Sequence, residues 1–222
     1  MDQSSLELFV SSLRPLVVAA ITATIPLALI SFAAGLVLAL VLALMRLSSR
    51  RWASGVARVY ISVIRGTPLL VQLFVIFYGL PSIGLLVDPW PSAIAAFSIN
   101  VGGYGAEIVR AAILSVPKGQ WEAAHVIGMS RRVALRRIIL PQAARVSVPP
   151  LSNTFISLVK DTSLASLILV TELFRVTQQI AAFSGEFMIL YLEAAVVYWV
   201  ICLALAAVQG RLEKRLDRYV AH

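Results

Sequence analysis

The chain has 222 residues, 59% of them hydrophobic and only 14% charged, with a mean hydropathy of +0.88. A soluble domain carries about 25% charged residues, so this composition excludes an ordinary soluble enzyme and requires an integral membrane protein with several spans and no large extramembrane domain. The net charge of +8 would suggest nucleic acid in a soluble protein; here it reads as arginine placed to orient the chain in a membrane, with lipid rather than nucleic acid as its surroundings.

Taken in order, the chain begins MDQSSLELF, acidic and without the basic n-region of a cleavable leader, so no leader is expected. Five apolar runs follow: Leu16–Met45, Leu69–Val87, Pro91–Ala111, Val148–Val170 and Met188–Val208. The first is over-long for one span, and Pro26 predicts either a kink or a part outside the bilayer. Tyr60–Pro68 precedes the second run as an interfacial helix or the start of a tilted one, and Gly66 with Pro68 predicts a bend. Trp90 fits an outer aromatic belt. The single cysteine, Cys202, sits in the last run and allows no internal disulfide. Thr171–Phe187 reads as a short outer segment, and Gly210–Tyr219 as a surface helix with Glu213 and Asp217 one turn apart.

Arginine sets the orientation. Arg46, Arg50, Arg51, Arg58 and Arg65 lie between the first two runs; Arg110, Lys118, Arg131, Arg132, Arg136, Arg137 and Arg145 in and around the centre; Arg211, Lys214, Arg215 and Arg218 in the tail. If five helices alternate, all of these share one side, and only Arg14 and Arg175 take the other. The positive-inside rule then predicts an outer N-terminus, a cytoplasmic C-terminus and a cytoplasmic central loop. The whole chain, 1–222, reads as one transmembrane domain.

The central loop, Pro117–Pro141, is the longest polar interval, without the Gly/Ser looseness of a linker. Ser115 is expected to cap a first short helix with Pro117 in its first turn, Gly128 to break it, and Ser130 to cap a second helix ending at Pro141. Helical spacing puts Trp121, Ala124 and Ile127 on one face and Lys118, Glu122 and His125 on the other. The result is a structured helix–turn–helix with a charged face left for a partner.

The spacing of that loop carries a resemblance. Glu122-Ala123-Ala124, three residues, Gly128, nine residues, Ile138, one residue, Leu140-Pro141 resembles the EAA loop of ABC importer permeases. KGQWEAA, LPQAARV, PPLSN, FISLVKDTSL, RGTPLLVQLF and YGLPSIG resemble the polar amino-acid permeases, in particular their L-cystine branch. The resemblance implies an all-α, five-span importer permease of the bacterial inner membrane, with Glu122, Ala123, Ala124, Gly128, Ile138, Leu140 and Pro141 docking into a cleft of a cytoplasmic ATPase. It also implies a dimer of that ATPase holding MgATP, a second permease subunit (a homodimer by preference), and an extracytoplasmic solute-binding protein. Cystine is the first substrate it implies, with glutamine, arginine or histidine next.

The residues themselves limit the chemistry. There is no G-x-x-x-x-G-K-[ST] phosphate loop, so the chain is expected to be no ATPase. No nucleophile–base pair or metal-ligand spacing is visible, and His125 and His222 read as solvated histidines. Polar side chains inside apolar runs are costly and mark function by default. Asn100, Tyr104 and Glu107 share one helix face beside Gly102 and Gly103, which permit close approach. Asn153, Ser157 and Lys160 share another, followed by Asp161, Thr162 and Ser163. These two faces either line a path for a zwitterion or satisfy each other between helices. Glu107 is expected to pair with Arg110 at i+3 and to sit too far from Lys160 for direct contact. The rival class is a passive channel or a structural membrane subunit; a channel would need a ring of repeated polar groups, none of which is visible, and either would leave the central loop unexplained.

Overall fold

The computed structural model describes residues 3–217 and is helical over most of each apolar run, as it must be where no water can satisfy the backbone; residues 85–87, at the end of the second run, are irregular. The helices are α1 (Gln3–Ala19), α2 (Ile25–Arg46), α3 (Arg51–Gly66), α4 (Leu69–Phe74), α5 (Pro89–Ser115), α6 (Lys118–Val126), α7 (Arg131–Ala134), α8 (Leu140–Asp161), α9 (Leu173–Ser184) and α10 (Phe187–Asp217).

Prolines explain most departures from plain α-helix. Pro26, Pro81 and Pro141 each lie two residues beyond a π-helical turn, at Ala20–Thr24, Val75–Gly79 and Leu135–Ile139 respectively. A proline has no N–H, and its ring crowds the carbonyl four residues back. The residue before it therefore reaches back five: the Ile25 N–H donates to Ala20 O, and the Leu140 N–H to Leu135 O. Pro15, Pro149 and Pro150 sit inside α-helix without this device. Two expectations are corrected accordingly. Pro26 causes no sharp kink, because Glu7–Arg46 is one continuous helix of 40 residues. Pro141 does not end the second loop helix, because the widened turn carries the chain directly into α8.

Length and apolarity support two spans, Glu7–Arg46 and Phe187–Arg215. Two bent pairs, Arg51–Gly66 with Leu69–Ile83 at 107° and Arg131–Ile168 with Leu173–Ser184 at 51°, raise this to four, where the apolar runs number five. The remaining run is α5. It is long, but it carries Asn100, Tyr104, Glu107 and three glycines, and it is sheltered by α2, α3, α4 and α8. The bend expected at Gly66 and Pro68 is the 107° elbow.

Glycines set how closely α5 is gripped. A Cβ on Gly35 would lie 2.5 Å from Val101 Cβ, one on Gly102 2.6 Å from Leu38 Cδ2, and one on Gly103 2.7 Å from Ile64 Cγ2. The main core joins Leu27 of α2, Leu73 of α4, Phe97 of α5, Val159 of α8 and Ile168, all buried. A second core, Leu16, Ala20, Leu173, Ala194 and Val197, ties α1 to α9 and α10. Thr171–Phe187 folds as α9, ended by Gly185 in the left-handed conformation at φ +77°. The expected separate tail helix is instead the end of α10; Arg218, Tyr219 and His222 lie outside the described residues.

Candidate functional site

The elbow between α3 and α4 opens onto a groove of about 800 Å³ beside α5 and α8. Asn100, Tyr104 and Glu107 line it from α5, and Asn153, Ser157 and Asp161 from α8. The two polar faces read from helical spacing therefore do meet. Lys160, Thr162 and Ser163 do not join them. Lys160 is exposed elsewhere, the buried Thr162 hydroxyl donates to Val159 O at 2.7 Å, and the Ser163 hydroxyl to Lys160 O at 2.7 Å. For Thr162 and Ser163 the physical reason is that α8 ends at Asp161 and continues as a 3₁₀ segment, Thr162–Ile168, which changes the side-chain phase. Lys160, still within α8, stands about 100° around the helix from Asp161, at the edge of the arc that Thr154, Ser157, Leu158 and Asp161 turn to the groove.

Charges in the groove are mixed. Glu107 accepts from Arg110 Nη2 at 2.8 Å and Nε at 3.0 Å, as the i+3 spacing predicts, and pairs with Arg46 Nε of α2 at 3.5 Å. Its carboxylate is thus already neutralised. Asp161 makes no side-chain hydrogen bond or ion pair among the described residues, and no Glu107–Lys160 pair occurs among them. Arg65 stands over the Tyr104 ring at 5.5 Å. Asn153 Oδ1 accepts from Gln209 Nε2 of α10 at 3.1 Å.

Two groove features escape the sequence reading. Arg65 and Thr67 line the groove from the elbow. Gln72, largely buried in α4, donates from Nε2 to Ile64 O (2.8 Å), Thr67 O (3.1 Å) and Thr67 Oγ1 (2.9 Å), and its Oε1 accepts from Asn100 Nδ2 at 3.0 Å. A glutamine inside the second apolar run was itself the signal, by the rule that singles out Asn100. The same rule would have found Glu193, which accepts from the Ser12 hydroxyl at 2.6 Å. Glu172 lacked that signal because it falls between runs. It caps α9, accepting from the Phe174 N–H at 3.0 Å, the Arg175 N–H at 2.8 Å and the Tyr198 hydroxyl at 2.9 Å.

The Pro117–Pro141 loop is the second candidate. Pro117, not Ser115, occupies the N-cap of α6; Ser115 closes α5 and donates to Ala112 O at 2.8 Å. α6 ends in a Schellman turn: Met129 N–H donates to Ala124 O and Gly128 N–H to His125 O, both at 3.0 Å, with Gly128 at φ +78°. Ser130 holds the N-cap position of α7 in extended conformation, without a side-chain capping bond. Trp121 and Ala124 pack inward, and the Arg131 guanidinium lies 6.0 Å from the Trp121 ring centre. Ile127 does not join them and is 68% exposed, because α6 stops at Val126 and the 100° phase stops with it. Lys118, Glu122 and His125 border a cavity of about 860 Å³ shared with Leu44, Leu47 and Ser48 at the end of α2. Glu122 and Ala123 are exposed, Ile138 and Leu140 half-buried, and Pro141 exposed. Val126, 84% exposed, completes an apolar tip with Ile127.

No group of three or more His, Cys, Asp or Glu able to hold a metal occurs among the described residues. Comparison with known proteins places these features in context. Residues 35–218 match the family model described as binding-protein-dependent transport system inner membrane component. The chain is 57% identical to the L-cystine transport system permease protein TcyB of Bacillus subtilis, over 97% of this chain and 92% of that one. It is 40% identical to the glutamine transport system permease protein GlnP of Escherichia coli, over 91% of this chain and 93% of that one. Among solved structures, an amino acid ABC transporter crystallised with histidines superposes with a TM-score of 0.85 at 36% identity, covering 91% of this chain and 94% of that one.

Proposed function

Since the chain belongs to the family of binding-protein-dependent transport system inner membrane components, as a permease subunit of an amino-acid ABC importer, we propose that it carries L-cystine inward through the groove at the α3–α4 elbow. The observation that carries this is the meeting of the two polar faces of α5 and α8 in that groove. Arg65 there offers a guanidinium to an α-carboxylate, and Asp161 offers an uncommitted carboxylate to an α-ammonium; Asn100, Tyr104, Asn153 and Ser157 supply the neutral hydrogen bonds between. Glu107, already paired with Arg110 and Arg46, fastens the cytoplasmic end of α5 to α2 rather than binding substrate.

Five spans, with the N-terminus outside and the C-terminus in the cytoplasm, place Pro117–Pro141 on the ATPase side. Glu122 and the small Ala123 enter the cleft of a partner ATPase, Gly128 fixes the turn, and Ile138, Leu140 and Pro141 transmit its movement into α8. The chain contributes no catalysis; a partner ATPase dimer binds and hydrolyses MgATP. One subunit does not enclose a path with two gates, so two copies form the channel, fed by an extracytoplasmic binding protein. The 57% identity to a cystine permease against 40% to a glutamine permease supports the substrate order.

Uptake into proteoliposomes tests the substrate. Permease, partner ATPase and loaded binding protein are expected to accumulate radiolabelled L-cystine when ATP is supplied inside, and Asp161→Asn to reduce the rate by about 10-fold through loss of one charge-assisted contact. Accumulation of glutamine but not cystine would contradict the substrate.

A further inference from the structure

Sheltered at the elbow, Gln72 forms a relay whose chemistry permits only one arrangement. Ile64 O and Thr67 O are carbonyls, which accept hydrogen bonds and never donate. The end of Gln72 within 2.8 Å and 3.1 Å of them must therefore be its NH₂. Its Oε1 then faces Asn100, so Asn100 must turn its own NH₂ toward Gln72, at 3.0 Å. Asn100 lines the groove, and its Oδ1 takes no hydrogen bond from a protein donor among the described residues. We propose that Gln72 is a positioning residue for substrate: by reading two backbone carbonyls at the end of α3, it sets the Asn100 amide so that the groove receives an acceptor oxygen, directed at the ammonium of a zwitterionic substrate. The inference rests on the groove being the substrate site.

The same side chain also braces the 107° bend, so the test must separate bracing from orientation. A carboxylate has an oxygen at either end. In Asn100→Asp the orientation of the group no longer matters, whereas bracing of the elbow still does. Equilibrium binding of radiolabelled L-cystine is measured on the detergent-purified permease–ATPase complex. Gln72→Met, which keeps the volume and loses both donor and acceptor, is expected to weaken binding by about 10-fold, the loss of one hydrogen bond to a charged group. Adding Asn100→Asp to Gln72→Met is expected to restore binding to within about 3-fold of the unaltered complex. Gln72→Met that binds normally, or a loss that Asn100→Asp does not rescue, would overturn the orienting role. If Gln72→Met does not assemble, Gln72→Leu, alone and with Asn100→Asp, is measured in its place and read by the same two outcomes. Absence of cystine binding by the unaltered complex would instead overturn the groove as substrate site, and this inference with it.

Discussion

Glu172 shows how much one buried side chain holds together. Its carboxylate is inaccessible to solvent and accepts two N–H groups at the start of α9 and the hydroxyl of Tyr198 from α10. Thr24 of the first π turn adds to the knot by accepting the Leu173 N–H at 3.1 Å. Glu172→Leu strands these donors in a dry interior, at a cost of about 2–4 kcal/mol. Thermal unfolding of the detergent-solubilised protein is expected to show a clear drop in midpoint, and Glu172→Gln, which keeps an acceptor, a smaller one. Equal midpoints for the leucine variant and the parent would remove the structural role. The sequence does not announce this residue, because its four donors come from positions 2, 3, 26 and 148 residues away and only the fold collects them. Asn100 and Glu107 were legible, since a polar residue inside an apolar run is costly wherever the chain goes.

Elements follow from pattern where the pattern is local. The bend at Gly66 and Pro68, the break at Gly128 and the arginine pair at i+3 with Glu107 are each written within a few residues. Where an element depends on how a proline is absorbed, reading fails: Pro26 and Pro141 look like breaks, yet π turns upstream carry both helices through. The phase change at Thr162 is similarly invisible and takes Thr162 and Ser163 off the groove face. Packing of α5 on α2 depends on small residues at the crossing. Gly35→Ala places a methyl 2.5 Å from Val101 Cβ, closer than carbon atoms tolerate, and the helices must part. The expected cost is about 1–3 kcal/mol, read as a lower unfolding midpoint and weaker assembly with the ATPase. Gly55, with nothing within 4 Å of a built Cβ, is the control, and its alanine variant is expected to behave as the parent.

The whole molecule is a helical body with two candidate sites along α5. The elbow groove gathers groups from three parts of the chain, and beyond it α6 offers Glu122 beside the exposed Val126 and Ile127. Between them α5 runs unbroken from the groove at Asn100 to the loop core at Ile113 and Val116, packed against the same α2 that borders the second cavity. In the proposed coupling, α5 is the stiff helix through which a push on α6 would reach the groove. The most direct measurement is ATPase activity of the complete transporter in proteoliposomes, with binding protein loaded or unloaded with L-cystine, for the parent and for Glu122→Lys. Stimulation by the loaded protein is expected in the parent, and its loss in Glu122→Lys while the complex stays assembled. Equal stimulation in both would contradict the coupling role of Pro117–Pro141.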